Sequence, residues 1–401
     1  MRKRAILLIT LSFVTIVTLY SENFKFTYKI DDKYRILSRV DESVYINRHF
    51  SHKADILNRI TVHVKDVKND GGLIDATYQT SERASGDTGK SYECTTEYES
   101  EFIRDSLGVY NIAPRYFMPV VRDVPVFSGR DVQPGDTWSY KGEEVHDFRK
   151  SFGIPDAYHI PIYVNYTYLG KAEYEGKTYD LLSVRYDIYY RASGVQSSGE
   201  LYPAKISGRS AQHVYWNAEA GRPEAYEENF DFKFEMSSGD TVQYTGIANA
   251  YVIESKIMDK TSVADNINDS INKGGIKDTG VSVSDEGVKI TLSNIQFKPE
   301  SFELTNTESK KLDQIAEILS QYPDRDILVK GHTALAGTEE GRMKLSSERA
   351  ASVADYLLSK GIRRSEQIIV KGVGAKEPVA DNSTAEGKKA NRRVEIIILE
   401  N

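Results

Sequence analysis

Cysteine is almost absent from this 401-residue chain. Cys94 stands alone, which excludes an intramolecular disulfide, a thiolate zinc finger and a Cys-x-x-Cys redox centre. A single thiol of this kind is expected as a small core residue. Positive charge is not in excess either: 52 Lys and Arg face 59 Asp and Glu, a net charge of −7, so the chain offers no broad basic surface and no nucleic-acid partner is expected. His-Glu-x-x-His, Gly-x-Ser-x-Gly and Walker phosphate-loop patterns are all missing. The seven histidines are scattered, and the pair His49-x-x-His52 has no third ligand near it and reads as solvated loop. No catalytic residue, cofactor or metal site is therefore expected, and the protein is read as non-enzymatic. Beyond the first 20 residues no apolar run reaches the length of a membrane anchor.

What is present begins with Met-Arg-Lys-Arg and the apolar stretch Ala5–Tyr20. A cationic start followed by a short apolar segment reads as a Sec-type signal peptide over residues 1–21, cleaved near Ser21. No cysteine stands at that junction, so lipid attachment there is not expected. Loss of Arg2, Lys3 and Arg4 takes the net charge from −7 to −10.

From residue 22 to 255 the apolar residues recur with period two, as in Leu182-x-Val184-x-Tyr186-x-Ile188-x-Tyr190 and Phe230-x-Phe232-x-Phe234-x-Met236. This predicts an antiparallel all-β region, as a sandwich or a half-barrel. Of the 26 tyrosines, 23 fall between residues 22 and 260, where rings on strand faces are expected to pack as half-buried core rather than form a carbohydrate platform. Six of the eleven prolines lie between Pro114 and Pro161. Proline cannot donate to a ladder, so an excursion or a break between two subdomains is expected within 104–161.

Residues 256–285 are rich in Asn, Asp, Ser and Gly and read as a linker. Over 286–401 the period changes. Val288–Phe297 reads as a strand, Thr305-x-x-Glu308 as a capping box opening a helix, and Asp326–Gly331 as a second strand. A second helix carrying Ala350, Val353, Ala354 and Leu357 is stopped by Gly361, and strands follow at Glu366–Gly372 and Arg392–Leu399. The expected order is β-α-β-α-β-β with both helices on one side, so the whole is an α+β multidomain chain.

These blocks carry a resemblance. Phe297 with Glu303-Leu304, Val329-Lys-Gly331-His332-Thr333, Leu345-Ser346-Ser347-Glu348-Arg349-Ala350, Val370-Lys-Gly372-x-Gly374-x-x-x-Pro378 and Gly387-Lys-Lys-Ala-Asn391-Arg392-Arg393-Val394-Glu395 resemble the OmpA-like peptidoglycan-binding domain, in a variant like that of spirochaetes. The resemblance implies a periplasmic, outer-membrane-associated protein gripping a peptidoglycan stem peptide. It implies a site of Thr333, Ala334, Arg342, Arg349, Asn391, Arg392 and Arg393. Stem peptides carry carboxylates, and at a diamino acid an ammonium. A guanidinium in the first turns of a helix, as at Arg349, suits a carboxylate fork. Of Arg392 and Arg393, consecutive strand residues that face opposite sides, only one can face the pocket.

Two positions depart from the pattern. The family's aspartate after Gly-x-Thr is Ala334, and its asparagine three residues before the Leu-Ser of the second helix is Arg342. Losing one charged hydrogen bond costs about 1.5–3 kcal/mol, on the order of 10- to 100-fold in affinity. Three readings follow: Glu339 or Glu340 replaces the lost acid, the pocket is built for a different stem, or wall binding is lost. For the whole chain, two functions stand open. One is a tether joining other envelope proteins or the outer membrane to peptidoglycan. The other is an outer-membrane β-barrel porin or adhesin over 22–255 with a wall anchor.

Overall fold

The computed structural model describes residues 21–84, 86, 89–193, 201–254, 258–293, 295 and 304–400. Residues 1–20 of the expected signal peptide, with Phe297 and Glu303, lie outside the described residues.

The period-two text becomes twelve antiparallel strands: β1 (Lys33–Ile46), β2 (His49–Lys68), β3 (Gly71–Ala84), β4 (Tyr92–Arg104), β5 (Tyr110–Ile112), β6 (Val121–Arg122), β7 (Thr137–His146), β8 (Tyr158–Tyr174), β9 (Lys177–Arg191), β10 (Pro203–Asn217), β11 (Arg222–Met236) and β12 (Thr241–Glu254). A helical turn, α1 (Arg149–Phe152), precedes β8. Neighbours in sequence pair, except that no ladder joins β5 to β6, and β1 also pairs with β12. One sheet therefore runs β5-β4-β3-β2-β1-β12-β11-β10-β9-β8-β7-β6. Register is set at tight turns such as Asn47-Arg48 (φ 51° and 69°) and Glu175-Gly176 (φ 48° and 77°), whose left-handed residues match hairpin twist. His49 and His52 sit exposed on β2 rather than in a loop.

Burial alternates along the strands. On β8, Tyr158, Ile160, Ile162, Val164, Tyr166 and Tyr168 are buried while His159, Pro161, Tyr163 and Asn165 face water. The inner face forms two apolar clusters, one around Trp216 with Phe24, Phe26 and Phe127, the other around Tyr78 with Val62, Ile74 and Phe102. The sheet curls until its edges meet. Phe127 N donates to Leu107 O at 2.9 Å, Tyr110 N to Asp123 Oδ1 at 2.7 Å, and the Tyr98 hydroxyl to Asp147 Oδ2 at 3.1 Å. The proline-bearing excursion thus crosses between two edges of one curled sheet, and no second sheet occurs among the described residues of 22–254.

The C-terminal unit contains α2 (Lys260–Gly274), β13 (Thr279–Val283), β14 (Gly287–Ser293), α3 (Asn306–Leu319), β15 (Ile327–His332), α4 (Glu339–Ser359), β16 (Ile368–Gly374), α5 (Ala385–Asn391) and β17 (Arg393–Leu399). Its strand order is β13-β14-β17-β15-β16, with β15 and β16 parallel. Thr305 caps α3 by accepting from Glu308 N, and Leu312, Ile315 and Leu319 join Val353, Leu357, Ile290 and Ile396 in one core. Two features differ from the expected order. The short helix α5 separates the last two strands. Residues 256–285, read as a linker, hold α2 and β13 in their described part. Asp259 caps α2 through Ser262 N, and Ile267 and Ile271, one turn apart, enter the C-terminal core. The Asn, Asp and Ser residues that suggested a connector are the helix's wet face.

The two units are also joined. The sheet face opposite the helices buries Leu328, Ile369 and Ile397 against Cys94 and Leu399, and β4 pairs in parallel with β16 at Ile369↔Tyr92 and Val370↔Glu93. Asp326, 3% exposed, lies 2.8 Å from Arg35 and 3.4 Å from Arg59. Cys94 thus packs at the join, its thiol pushed up chiefly by burial. Among the described residues no helix is long and apolar enough to cross a membrane.

Candidate functional site

The site is assembled where β15 and β16 end beside α4. A close approach fixes this geometry: a Cβ on Gly331 would stand 2.0 Å from the Ser346 carbonyl oxygen, so only glycine lets β15 lie against α4. Thr333 N donates to Gly374 O at 2.8 Å, tying the two strand ends together. Ser346, buried on α4, accepts from Gly374 N at 2.9 Å and donates to Met343 O at 2.8 Å. Ser346 is a functional support that sequence reasoning left in a motif block without a role. Asn382, which accepts from Leu335 N at 2.9 Å, was not foreseen; nothing in its local pattern signals it.

The expected residues divide into two groups. Thr333 and Ala334 are buried at the loop start, and the Thr333 hydroxyl has no hydrogen-bond partner among the described residues. Arg349 on α4 is half-buried, and its basicity is lowered by burial and then by the neighbouring Arg392 guanidinium. Arg392 itself is exposed. Arg349 belongs to α4, and Arg392 is the residue between α5 and β17. Arg342 lines a cleft of about 220 Å³ with Leu335, Glu339, Met343, Gly374 and Lys376 and donates to the Gly337 carbonyl.

Asn391 and Arg393 have other work. Asn391 Oδ1 accepts from Val379 N and Ala380 N at 2.8 and 3.0 Å, and its Nδ2 donates to Ala380 O at 2.8 Å; this side chain shapes the loop before α5. Arg393 is 4% exposed and donates to Glu395 Oε1 at 2.8 Å and to the Glu377 carbonyl at 3.1 Å. Burial pushes the Glu395 carboxyl up, but the His332 ring and the Arg393 guanidinium beside it more than offset that and hold it well below the ordinary range. His332, Glu377 and Glu395 bring one ligand atom each within 4.8 Å of one another. Arg393 already supplies the positive charge there, so this trio is an ion-pair network first.

Of the two acids expected as replacements, Glu339 lies 3.2 Å from Lys376, both well exposed. Glu340 is exposed at the first turn of α4, where carboxylates suit the helix dipole. The site is therefore rich in cations around a buried alanine.

Residues 296–392 match the OmpA family. The chain is 40% identical over 126 residues to a probable lipoprotein, YiaD, of Escherichia coli K12, covering 31% of this chain and 57% of that protein. It is 35% identical over 109 residues to the peptidoglycan-binding protein ArfA of Mycobacterium tuberculosis H37Rv, covering 27% and 33%. A solved outer membrane protein from Borrelia burgdorferi B31 is 35% identical, with 30% of this chain and 96% of that one covered and a TM-score of 0.26. The chain thus spans between a third and three fifths of the two curated relatives named. Through its C-terminal unit, this chain belongs to the OmpA family.

Proposed function

We propose that the protein is a non-enzymatic cell-envelope tether whose C-terminal unit holds a peptidoglycan stem peptide by a carboxylate. One observation carries this reading: Ala334 is buried where the family has an acid, while α4 carries Arg342 and Arg349 and the residue between α5 and β17 is Arg392. Guanidiniums suit a carboxylate, which a planar fork holds by paired hydrogen bonds. With Ala334 in place of an acid and Arg342 nearby, the pocket favours a carboxylate and disfavours an ammonium, which fits a stem other than one read through its diamino acid's amine. The ArfA similarity supports peptidoglycan as the partner class, and the relatives support an envelope location.

The β-region argues for the tether over the porin or adhesin. A membrane barrel turns its apolar band outward and its polar residues inward. Here β8 and β9 bury Ile160, Val164, Leu182 and Ile188 inside and expose Asn165, Lys171, Arg185 and Asp187. The test is co-sedimentation of the full chain with sacculi from the source organism, beside sacculi containing diaminopimelate. Binding to the native wall, weakened about tenfold or more by Arg349→Ala, is the expected result. Binding to neither wall overturns the proposal.

A further inference from the structure

The curled sheet encloses a cavity of about 640 Å³, within the range of small-molecule sites. Its wall includes a continuous row across five paired strands: Tyr98, Tyr78, Ile60, Ile36 and Val252. Met118, Val124 and Val214 also line it. The acids that also line it are engaged, Asp147 paired with Arg149 at 2.8 Å and Glu224 accepting from Asn217 at 2.9 Å. Ser38, Asn58, Thr80 and Tyr226 lie one rung away and satisfy one another, Thr80 donating to Asn58 at 2.9 Å and Tyr226 to Ser38 at 3.4 Å. Glu228 accepts from Ser210 at 2.5 Å and from Gln212 at 3.3 Å.

Arg104 is the exception. It lines the same cavity and stacks on Phe26, with its guanidinium carbon 3.9 Å from the ring centre. Its Nε donates to the Tyr28 hydroxyl at 3.1 Å and Nη1 to the Tyr110 hydroxyl at 3.3 Å. Tyr28 in turn donates to the Asp105 carbonyl at 3.2 Å, so the phenols are oriented partners. Among the described residues Arg104 has no carboxylate within ion-pair distance, unlike Arg35, Arg59 and Arg83, which all reach one. A guanidinium held at an apolar cavity by neutral groups is one anion short.

We propose that the β-region binds a single-chain anionic amphiphile, its acidic head paired with Arg104 and its hydrocarbon chain laid along the Tyr78–Ile60–Ile36–Val252 wall. The head supplies the missing counter-charge, and the chain fills the apolar volume. A carboxylate head and a phosphate head share this chemistry. The site is separate from the C-terminal pocket and does not rest on the wall-binding reading.

The test uses the full chain, stripped of co-purified lipid, with a fluorescent fatty acid as probe. Palmitate, palmitoyl lysophosphatidate and uncharged methyl palmitate then compete against it. Saturable probe binding displaced by one or both anions, with the ester at least about tenfold weaker, is the expected result, and the stronger anion identifies the head. Arg104→Gln should erase the preference for the anions while keeping the ester's affinity. Val214→Trp, at a buried cavity-lining position of β10 whose register partners Leu182 and Tyr226 also face inward, should abolish binding of all three and covers the case in which the Arg104 variant fails to fold. Absence of probe binding, equal affinity for palmitate and its ester, or full binding by the Val214 variant overturns the proposal.

Discussion

Strand β8 alternates buried and exposed residues along most of its length, whereas β15 is buried at all six positions and β17 at six of seven. The first pattern belongs to a sheet with one dry face. The second belongs to a sheet covered on both sides. In the β-region the strands close on themselves and leave a void; in the C-terminal unit, helices cover one face and the β-region covers the other. The unbroken Glu395-Ile-Ile-Ile-Leu run therefore records a neighbour as well as a strand, and the join between the units is core, not contact.

That comparison breaks most severely at Asp326. Asp326→Ala leaves the Arg35 and Arg59 guanidiniums buried without their shared carboxylate. A loss of about 3–5 kcal/mol is expected in urea unfolding of the full chain; a loss below about 1 kcal/mol means the join is loose. A paired measurement sharpens the point. Ile290 faces the helices and Ile369 faces the β-region, both 0% exposed, so Ile290→Ala and Ile369→Ala should each cost about 2–5 kcal/mol. A much cheaper Ile369 variant would show that the second face is not packed.

The smallest effect separates the units by pH. Glu42 in the β-region is pushed up to about 7 by burial and by the Glu82 carboxylate. The unfolded chain releases that proton near pH 4.3. Between these values the folded state holds more protons, so stability falls as pH rises, and Glu42→Gln should flatten the fall. Glu395 behaves in the opposite sense. Its depressed native value contributes stability that is present above about pH 4.3 and fades as pH drops toward that native value. Glu395→Gln should remove that acid-side dependence while lowering stability at neutral pH. Urea midpoints followed across pH check both; parallel curves for Glu42→Gln and the unaltered chain between about pH 4 and 7 would refute the first assignment.

Much of this was legible. The Thr305 cap, the Gly361 stop and the inward set Leu182, Val184, Tyr186 and Ile188 of β9 all follow local rules, and the structure places them as the residues suggested. Helix α2 was hidden because few of its residues reach the core, while the rest are the polar types that also make connectors. The join was hidden because no local period reports a contact between residues 59 and 326. At the site, the family pattern pointed to Arg349 and Arg392 together with Asn391 and Arg393, and the partners of the last two lie a few residues away in the chain yet unseen in a motif. Asn391 shapes the 379–380 backbone, and Arg393 neutralises Glu395.

The parallel pairing of β4 with β16 has a practical consequence. A C-terminal piece cut free of the β-region would bare an unpaired strand margin flanked by Leu328, Ile369 and Ile397, the combination that recruits foreign strands and drives aggregation. Such a fragment would cling to surfaces, including cell-wall preparations, for reasons unrelated to its pocket. In this protein the β-region covers that margin.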